Sequence, residues 1–263
     1  MFQTRGTDFE DENNSFIDPR ARMQDYLKNL SFYEPIYFLV GVNPEKSKFQ
    51  LSFKYRLFNP GKSLSRKYHW ITGFYLGYTQ TSLWDLESDS KPFEDTSYKP
   101  ELFFSSDNIR VRPSWLTDWI VKTGLKHESN GNGGDASRST NYIYFETVFV
   151  SRLSKDFQLG ISPQVWLFYN NDDATNPDIE DYRGYFEIKA GITKKENFAL
   201  LAAFRQGSAG GTIQVDFSYP LHRLFADNVD FYFYAQYVNG YAETLKNYSE
   251  KDDVIRLGIA ITR

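Results

Sequence analysis

The sequence predicts an all-β protein, a transmembrane antiparallel β-barrel of about twelve strands. The first observation is that apolar and polar residues alternate one by one from about residue 35 onward. In residues 49–57 every odd position is apolar and every even position is polar, which is typical of a strand with one apolar face. The second observation is that such segments recur about twelve times, many of them with the roughly 9–11 residues that a tilted membrane strand needs. The third is that their connections differ in length by parity, as the loops of bacterial barrels do.

The segments follow one another along the whole chain after an N-terminal region. We expect strands near residues 35–42, 48–57, 70–84, 98–105, 115–128, 140–153, 155–168, 182–193, 196–206, 211–220, 228–238 and 253–262. Long polar loops are expected at 85–97, 129–139, 169–181 and 239–252. Since long loops at one end and tight turns at the other are typical of these barrels, the long loops are expected to be extracellular. Residues 58–69 and 106–114 are longer than this pattern favours.

The N-terminal region differs from the rest in its composition. Residues 1–33 are polar and of mixed charge, and we expect a loosely held arm with room for a short helix near residues 19–30. The barrel is expected to occupy residues 34–263. No charged-then-apolar signal peptide opens the chain, so a barrel implies that a signal sequence has been removed ahead of Met1.

Composition limits the function classes. The chain has 263 residues and a net charge of −4, which argues against nucleic acid, for which a basic face would be expected. It has no cysteine, so disulfides and thiolate metal sites are excluded. Mean hydropathy is −0.54 although 18% of the residues are aromatic. No segment approaches the roughly 18 consecutive apolar residues of a spanning helix, as is normal for membrane strands that alternate.

Three polar side chains fall on the apolar faces of two neighbouring predicted strands. His127 and Ser129 share the odd-numbered face of one strand, and Asn141 lies on the odd-numbered face of the next, because successive side chains point to opposite sides. A Gly-rich stretch within the predicted loop 129–139 joins the two strands. Polar groups on such a surface indicate a site for an apolar substrate.

These residue types fit nucleophilic catalysis. A serine becomes a useful nucleophile when a neighbouring base takes its proton, and the base works best when a third group fixes its tautomer. His127 and Ser129 are two residues apart on one face, and Asn141 could hold the second ring nitrogen. Backbone N–H groups of the turn at residues 129–131 could form an oxyanion hole. Taken singly, a His-x-Ser pair or a Gly-rich loop is usually structural, but the shared parity and the presence of only three histidines favour a site.

A longer pattern supports this interpretation. His127-Glu128-Ser129-Asn130-Gly131, followed by Ser137-Arg138-Ser139-Thr140-Asn141, resembles the active-site signature of the outer-membrane phospholipase A family. Further matches follow in order from about residue 35: Tyr78-Thr79-Gln80, Pro92-Phe93, Tyr98-Lys99-Pro100-Glu101, Asn176-Pro177-Asp178-Ile179, Arg183-Gly184-Tyr185 and Gly240-Tyr241-Ala242-Glu243-Thr244-Leu245. The resemblance implies a twelve-stranded barrel of the bacterial outer membrane. Such a barrel hydrolyses acyl esters of phospholipids and lysophospholipids, is activated by reversible homodimerisation, and has its active site toward the extracellular side.

The resemblance also implies roles for individual residues. Ser129 matches the nucleophile, His127 the general base and Asn141 the residue that orients it, while Gln80 matches a glutamine that supports that asparagine. Backbone N–H groups at Ser129 and Gly131 would stabilise the oxyanion, assisted by water on a calcium ion.

A calcium ion, Ca²⁺, is implied at the subunit interface. Its ligands would be the hydroxyl of Ser137, the backbone carbonyl of Asn132 and Ser90 of the partner subunit. Asn132 replaces an expected arginine, but a carbonyl ligand depends little on its side chain. Hard oxygen ligands without a carboxylate suit calcium at modest affinity. The alternative for Ser90 and Ser137 is that they are ordinary loop serines.

Two features depart from the family pattern. Asp135 is displaced by one position and Asp172 and Asp173 lie in a longer loop, which leaves a second calcium site open. The chain ends Ile261-Thr262-Arg263, whereas such barrels commonly end on an aromatic residue.

Two other function classes fit parts of the pattern. A passive barrel, porin-like or structural, could fill its lumen with a network of charged side chains from the inward-facing strand positions. Those positions are Lys54, Arg56, Lys122, Lys126, Glu146, Arg152, Glu187 and Lys189. A soluble β-sandwich that binds a ligand would also show alternating strands, although its strands would be shorter on average.

Overall fold

A computed structural model of the chain describes residues 26–171, 174–223 and 230–263. Most of the expected N-terminal arm, including residues 19–25 of its short helix, lies outside the described residues, as do Asp172 and Asp173. In the described part, thirteen strands form one antiparallel sheet. They are β1 Leu30–Phe32, β2 Tyr37–Gly41, β3 Ser47–Arg56, β4 Phe74–Trp84, β5 Phe93–Ser105, β6 Leu116–Ser129, β7 Ser139–Arg152, β8 Phe157–Phe168, β9 Phe186–Lys194, β10 Ala199–Gln206, β11 Gly211–Pro220, β12 Tyr232–Tyr241 and β13 Lys251–Ala260.

Tyr26 and Leu27, at the start of the described chain, are helical and belong to the expected short helix near residues 19–30. The other short helices lie in the connections between strands. The α-helices are α1 Ser63–Lys67 and α2 Ile179–Arg183. Single turns of 3₁₀-helix lie at Pro44–Lys46, His69–Gly73, Gly134–Ala136 and Leu221–Arg223. Among the described residues there is no helix that is long and apolar enough to cross a membrane.

The sheet closes into a cylinder. Each strand from β3 to β13 pairs with the next, and β2 pairs with both β13 and β3. The strands β2 to β13 therefore form a closed twelve-stranded antiparallel barrel, which confirms the predicted fold class. Closure leaves no unpaired sheet edge around the cylinder.

The additional strand β1 lies in the region that we expected to be an arm. It pairs with β3 through Leu30 opposite Tyr55, while β2 pairs with the same edge of β3 through Tyr37 opposite Gln50. The two short strands are thus halves of one interrupted strand position. Residues 33–35 between them line the cavity inside the barrel.

Strand boundaries differ from the expected ones at the starts of β4 and β5. β4 begins at Phe74 instead of residue 70, because the 3₁₀-turn His69–Gly73 occupies its predicted start. β5 begins at Phe93 instead of residue 98. Residues 93–97 contain mostly polar side chains and hide the alternation, but their pairing with β4 extends the hairpin to Trp84.

Alternation divides the wall into an apolar outside and a charged inside. Outward side chains such as Leu51 and Phe145 are each 48% exposed. Inward side chains form ion pairs, including Lys126 with Glu101 at 2.7 Å and Lys122 with Glu146 at 2.9 Å. This is the apolar-out and polar-in arrangement of membrane barrels.

The long loops predicted by parity all lie at one end of the cylinder. The described connections at this end are residues 42–46, 85–92, 130–138, 169–171, 174–185, 207–210 and 242–250. The described connections at the opposite end are residues 57–73, 106–115, 153–156, 195–198, 221–223 and 230–231. The candidate residues of the next section lie at the first end.

Candidate active site

Strands β6 and β7 place His127 and Asn141 directly opposite each other in the ladder. His127 Nδ1 and Asn141 Oδ1 are 2.8 Å apart, and both side chains are half-buried on the outer face. The next outward pair, Leu125 and Ile143, is 45% and 46% exposed. An amide oxygen accepts a hydrogen bond from Nδ1–H, so the contact holds the proton on Nδ1 and leaves Nε2 available as a base.

The orientation of the Asn141 amide is fixed from its other side. Its Nδ2 donates to the backbone carbonyl of Asn170 at 3.2 Å. A flipped amide would set two oxygens against each other, because that carbonyl can only accept. Asn170 has a φ of +48°, a left-handed conformation that asparagine tolerates better than most residues. The loop after β8 therefore determines which tautomer His127 adopts.

Ser129 is the last residue of β6 and lies two positions beyond His127 on the same face. Two positions along a strand separate Cα atoms by roughly 6.7 Å, which a serine and an imidazole side chain can span together. Ser129 is opposite Ser139 of β7 and Tyr98 of β5, so it is held in the ladder from both sides. The pair can act as nucleophile and base.

Between these two residues, Glu128 points into the lumen. It is 3% exposed, and its carboxylate accepts a hydrogen bond from Arg183 Nη1 at 2.7 Å and lies 3.8 Å from Lys99 Nζ. Burial alone would lower the pKa of Arg183, but the Glu128 carboxylate raises it above its ordinary value. The ion pair anchors β6 from the inside at the point where its outer face carries His127 and Ser129. Sequence reasoning did not find this pair, because its members are 55 residues apart.

A buried asparagine organises the Gly-rich loop. Asn130 Nδ2 donates to the Ala136 carbonyl at 2.9 Å, and Asn130 Oδ1 accepts from the backbone N–H groups of Asn132 and Arg138 at 3.2 and 3.0 Å. Asn130 is 4% exposed, and nothing in the sequence pattern pointed to this role. Residues 130–138 are thereby closed into one defined turn.

Gly131 follows with a backbone conformation that requires glycine. Its φ is +70°, and a Cβ added there would lie 2.8 Å from the ring of Tyr98. The close approach turns the chain out of β6 directly after Ser129. The backbone N–H groups that are expected to bind an oxyanion belong to Ser129, the last residue of β6, and to Gly131 in this turn.

The residues expected to bind calcium are distributed over two loops. Asn132 and Ser137 lie on either side of the 3₁₀-turn Gly134–Ala136, and Ser90 is exposed in the connection 85–92. The described residues include no group of three or more His, Cys, Asp or Glu side chains that could hold a metal ion. Hydroxyl and carbonyl oxygens are ligands that calcium accepts, and one chain supplies two of the three expected donors from a single turn.

Gln80 does not take the place that the resemblance implies. It lies on β4, and β5 and β6 separate it from β7, a distance of roughly 14 Å at about 4.8 Å per strand. Gln80 Oε1 accepts from the Tyr78 hydroxyl at 3.1 Å, and its Nε2 donates to Ser82 at 3.4 Å. The Asn170 carbonyl supports Asn141 instead.

Comparison with known proteins gives one consistent result. A family model described as phospholipase A1 matches residues 21–261. Phospholipase A1 of Escherichia coli K12 is 30% identical over 191 residues, covering 70% of this chain and 60% of that protein. Phospholipase A1 of Proteus vulgaris is 29% identical over 195 residues, again covering 70% and 60%. The chain spans about three fifths of the length of these curated relatives.

Solved structures agree with the sequence comparison. A Salmonella typhi outer membrane phospholipase, determined as a dimer with bound calcium, superposes with a TM-score of 0.71 at 25% identity. The match covers 88% of this chain and 91% of that one. Outer membrane phospholipase A from Escherichia coli gives a TM-score of 0.70 at 25% identity, over 90% and 95% of the two chains.

Proposed function

The chain belongs to the phospholipase A1 family, and from that premise we propose that it is a calcium-dependent phospholipase of the bacterial outer membrane. It hydrolyses acyl ester bonds of phospholipids and lysophospholipids. The observation that carries the proposal is the 2.8 Å contact between His127 and Asn141, beside Ser129 and on the outer face of the barrel. A site that faces the bilayer meets lipid substrates without extracting them into water.

The mechanism follows from the three side chains. The Ser129 hydroxyl oxygen attacks the ester carbonyl carbon while His127 Nε2 takes the hydroxyl proton. His127 then gives that proton to the departing alcohol oxygen of the lipid, which leaves an acyl-serine. Water, deprotonated by the same imidazole, releases the fatty acid and restores Ser129. Asn141 accepts from Nδ1–H throughout and stabilises the imidazolium that forms in each step.

Charge on the carbonyl oxygen is stabilised at the end of β6. The backbone N–H groups of Ser129 and Gly131 are the proposed donors, and donors of this type are each worth roughly 3–4 kcal/mol in the transition state of an acyl transfer. The positive φ of Gly131 supports this role, since it turns the backbone out of the ladder beside the nucleophile.

Calcium is the proposed cofactor, and the homodimer is the proposed active state. Ser137 and the carbonyl of Asn132 would hold the ion together with Ser90 of the partner subunit. When bound, calcium supplies positive charge close to the developing oxyanion. The similar Salmonella typhi protein was determined as a dimer with bound calcium. A reversible dimer would keep the enzyme silent as a monomer, with its site at the extracellular end of the barrel.

Hydrolysis by detergent-refolded protein tests the proposal. Fatty acid released from phospholipid micelles is titrated with calcium present and then with excess chelator. We expect activity that needs calcium and that Ser129→Ala abolishes. Ser154→Ala is the matched control, because Ser154 lies in the connection at the opposite end of the barrel. Hydrolysis that survives Ser129→Ala would refute the mechanism, and activity indifferent to the chelator would remove the calcium site.

The shared calcium site has its own test. Ser90→Ala and Ser137→Ala should each be inactive at low calcium, whereas a mixed dimer of the two variants contains one intact site. Mixing Ser90→Ala with Ser137→Ala should therefore restore activity. Mixing Ser129→Ala with Ser137→Ala should not, because neither subunit then has both its nucleophile and its own Ser137. Failure of the first mixture to gain activity would contradict a site built from two subunits.

A further inference from the structure

The strand that carries Asn141 extends past its neighbour. β7 begins at Ser139, but its pairing with β8 begins only at Tyr142, opposite Phe168, the last residue of β8. Ser139, Thr140 and Asn141 therefore pair with β6 on one side, but on the other side they extend past the end of β8. Their backbone groups on that side require partners, since an unpaired buried polar group is costly. Thr140 is fully buried.

Asparagine side chains of the following connection supply these partners. Asn171 Oδ1 accepts from the backbone N–H of Asn141 at 3.0 Å and from the Thr140 hydroxyl at 3.1 Å. Asn176 Oδ1 accepts from the backbone N–H of Ser139 at 3.3 Å, and its Nδ2 donates to the Ser139 carbonyl at 3.0 Å. We name Asn171 and Asn176 the asparagine clasp. The clasp supplies the hydrogen bonds that a longer β8 would make to the backbone of Ser139 and Asn141 in β7.

The connection that carries the clasp is itself anchored. Tyr169 N–H donates to the Asn141 carbonyl at 3.0 Å, and Asp178 accepts from the Tyr248 hydroxyl at 2.6 Å. Ile179 of α2 is fully buried against residues 242–248 of the β12–β13 connection. At the end of α2, Arg183 bonds Glu128 inside the barrel. The asparagines therefore bind β7 from a segment that is fixed at several points.

We propose that Asn171 and Asn176 are positioning residues of the hydrolytic site. By holding the backbone of Asn141 and Ser139, they set the side chain of Asn141 against His127 and keep Ser139 opposite Ser129. The inference rests on the proposed function, because it assigns the clasp to the same Ser129–His127–Asn141 reaction. It adds two residues that touch neither the substrate nor the imidazole.

The two asparagines bind in chemically different ways, which gives the test its resolution. In both of its bonds to β7 Asn171 accepts through Oδ1, so Asn171→Asp keeps them. Asn176 both accepts and donates, so Asn176→Asp sets a carboxylate oxygen against the Ser139 carbonyl. The same substitution should therefore be tolerated at one position and harmful at the other. Asn59→Ala is the matched control, because Asn59 lies in the opposite-end connection, where it accepts from the Gly61 N–H at 2.9 Å.

The experiment measures kcat and KM of refolded, calcium-loaded variants on phospholipid micelles. Active sites are counted with a sulfonyl fluoride that labels the serine, so that misfolded protein does not enter kcat. We expect Asn171→Ala to lower kcat about 10- to 100-fold at nearly unchanged KM, since a misplacement of about 1 Å can cost that much. Asn171→Asp should stay within about threefold of the wild type, and Asn176→Asp should fall at least as far as Asn171→Ala.

A double variant separates positioning from general loosening. If Asn171 acts through Asn141, then Asn171→Ala combined with Asn141→Ala should be no slower than Asn141→Ala alone. The proposal would be overturned if the kcat losses of Asn171→Ala and Asn141→Ala multiplied in the double variant. It would also be overturned if Asn171→Asp and Asn176→Asp lowered kcat equally. Should one Ala variant fail to refold, the two Asp variants still decide. If hydrolysis depends on Ser129 but the clasp variants are as active as the wild type, only this inference is refuted. If the wild type shows no hydrolysis that depends on Ser129, the proposed function is refuted as well.

Discussion

Replacing Asn141 tests the central contact of the site. Asn141→Ala removes the oxygen that accepts from His127 Nδ1–H at 2.8 Å. A hydrogen bond to a group that becomes charged is worth about 1.5–3 kcal/mol. At 1.36 kcal/mol per factor of ten in rate, kcat should fall roughly 13- to 160-fold. The substitution leaves Ser129 and the backbone N–H groups in place, so hydrolysis well above background should remain.

Asn141→Asp distinguishes the two ends of the amide. One carboxylate oxygen would keep the contact with His127, but the other would face the Asn170 carbonyl that now accepts from Nδ2 at 3.2 Å. We therefore expect a loss of less than about tenfold, smaller than that of alanine. Asn239→Ala is the matched control, since Asn239 lies near the same end on β12, opposite Ile213 and Asp253.

The assay is kcat per active site, from titration of released fatty acid, for all variants at the same calcium concentration. An alanine variant within threefold of the wild type would refute the argument that Asn141 stabilises the imidazolium. An aspartate variant slower than the alanine variant would refute the argument that the contact with His127 matters more to kcat than the bond to the Asn170 carbonyl.

Three further predictions concern the surroundings of the site. Gly131→Ala should lower kcat and destabilise the turn by about 1–2 kcal/mol, because the φ of Gly131 is +70°. Gly133→Ala should leave kcat unchanged, because no atom lies within 4 Å of the added Cβ. Equal kcat values for the two variants would contradict the need for glycine at position 131. Burial alone would raise the pKa of Glu243, but Lys48 and Arg256 lower it from 4.5 to about 2. The ionised carboxylate should therefore contribute roughly 3 kcal/mol to the free energy of unfolding above pH 4.5, and this contribution should be lost as the pH falls toward 2. Denaturant unfolding of Glu243→Gln should lack this acid-sensitive part. Arg183→Met should destabilise the barrel by up to about 3–5 kcal/mol, because the buried Glu128 carboxylate then has only Lys99, at 3.8 Å, as a charged partner. Arg183→Met with Glu128→Gln should recover most of that loss in the same measurement.

The strand period accounts for what the sequence could predict. Because side chains alternate along a strand, the odd numbering of His127, Ser129 and Asn141 was enough to place all three on the outer face. The same period located the closed barrel and its long-loop end. It failed where the alternation is hidden, as in residues 93–97 of β5, and where a strand is as short as β1.

Sheet order and loop packing account for what the sequence could not predict. Gln80 shares the outward parity of the site, and the resemblance assigns it to Asn141, but its side chain bonds Tyr78 and Ser82 on β4, which two strands separate from β7. Glu128 and Arg183 meet across the lumen from positions 55 residues apart. Asn171 and Asn176 fall in the predicted loop 169–181, and their role depends on β7 starting three residues beyond the end of β8, which is a property of the pairing register.

The position of the site on the outer wall explains why its support comes from the edge of a strand. In a hydrolase whose catalytic residues lie in a packed interior, neighbouring side chains on all sides can fix an imidazole. His127 lies on the outside of the barrel, where Asn141 of the neighbouring strand contacts it, and in the proposed function the space in front of it is open to lipid. The orientation of His127 must then come from two places. In the lumen, Arg183 Nη1 lies 2.7 Å from the Glu128 carboxylate and anchors β6. At the first residues of β7, the asparagine clasp holds Ser139 and Asn141. In the proposed function the outer face stays open to substrate, so the catalytic groups are fixed from the lumen, along the sheet, and by the loop after β8, where the Asn170 carbonyl accepts from Asn141 Nδ2.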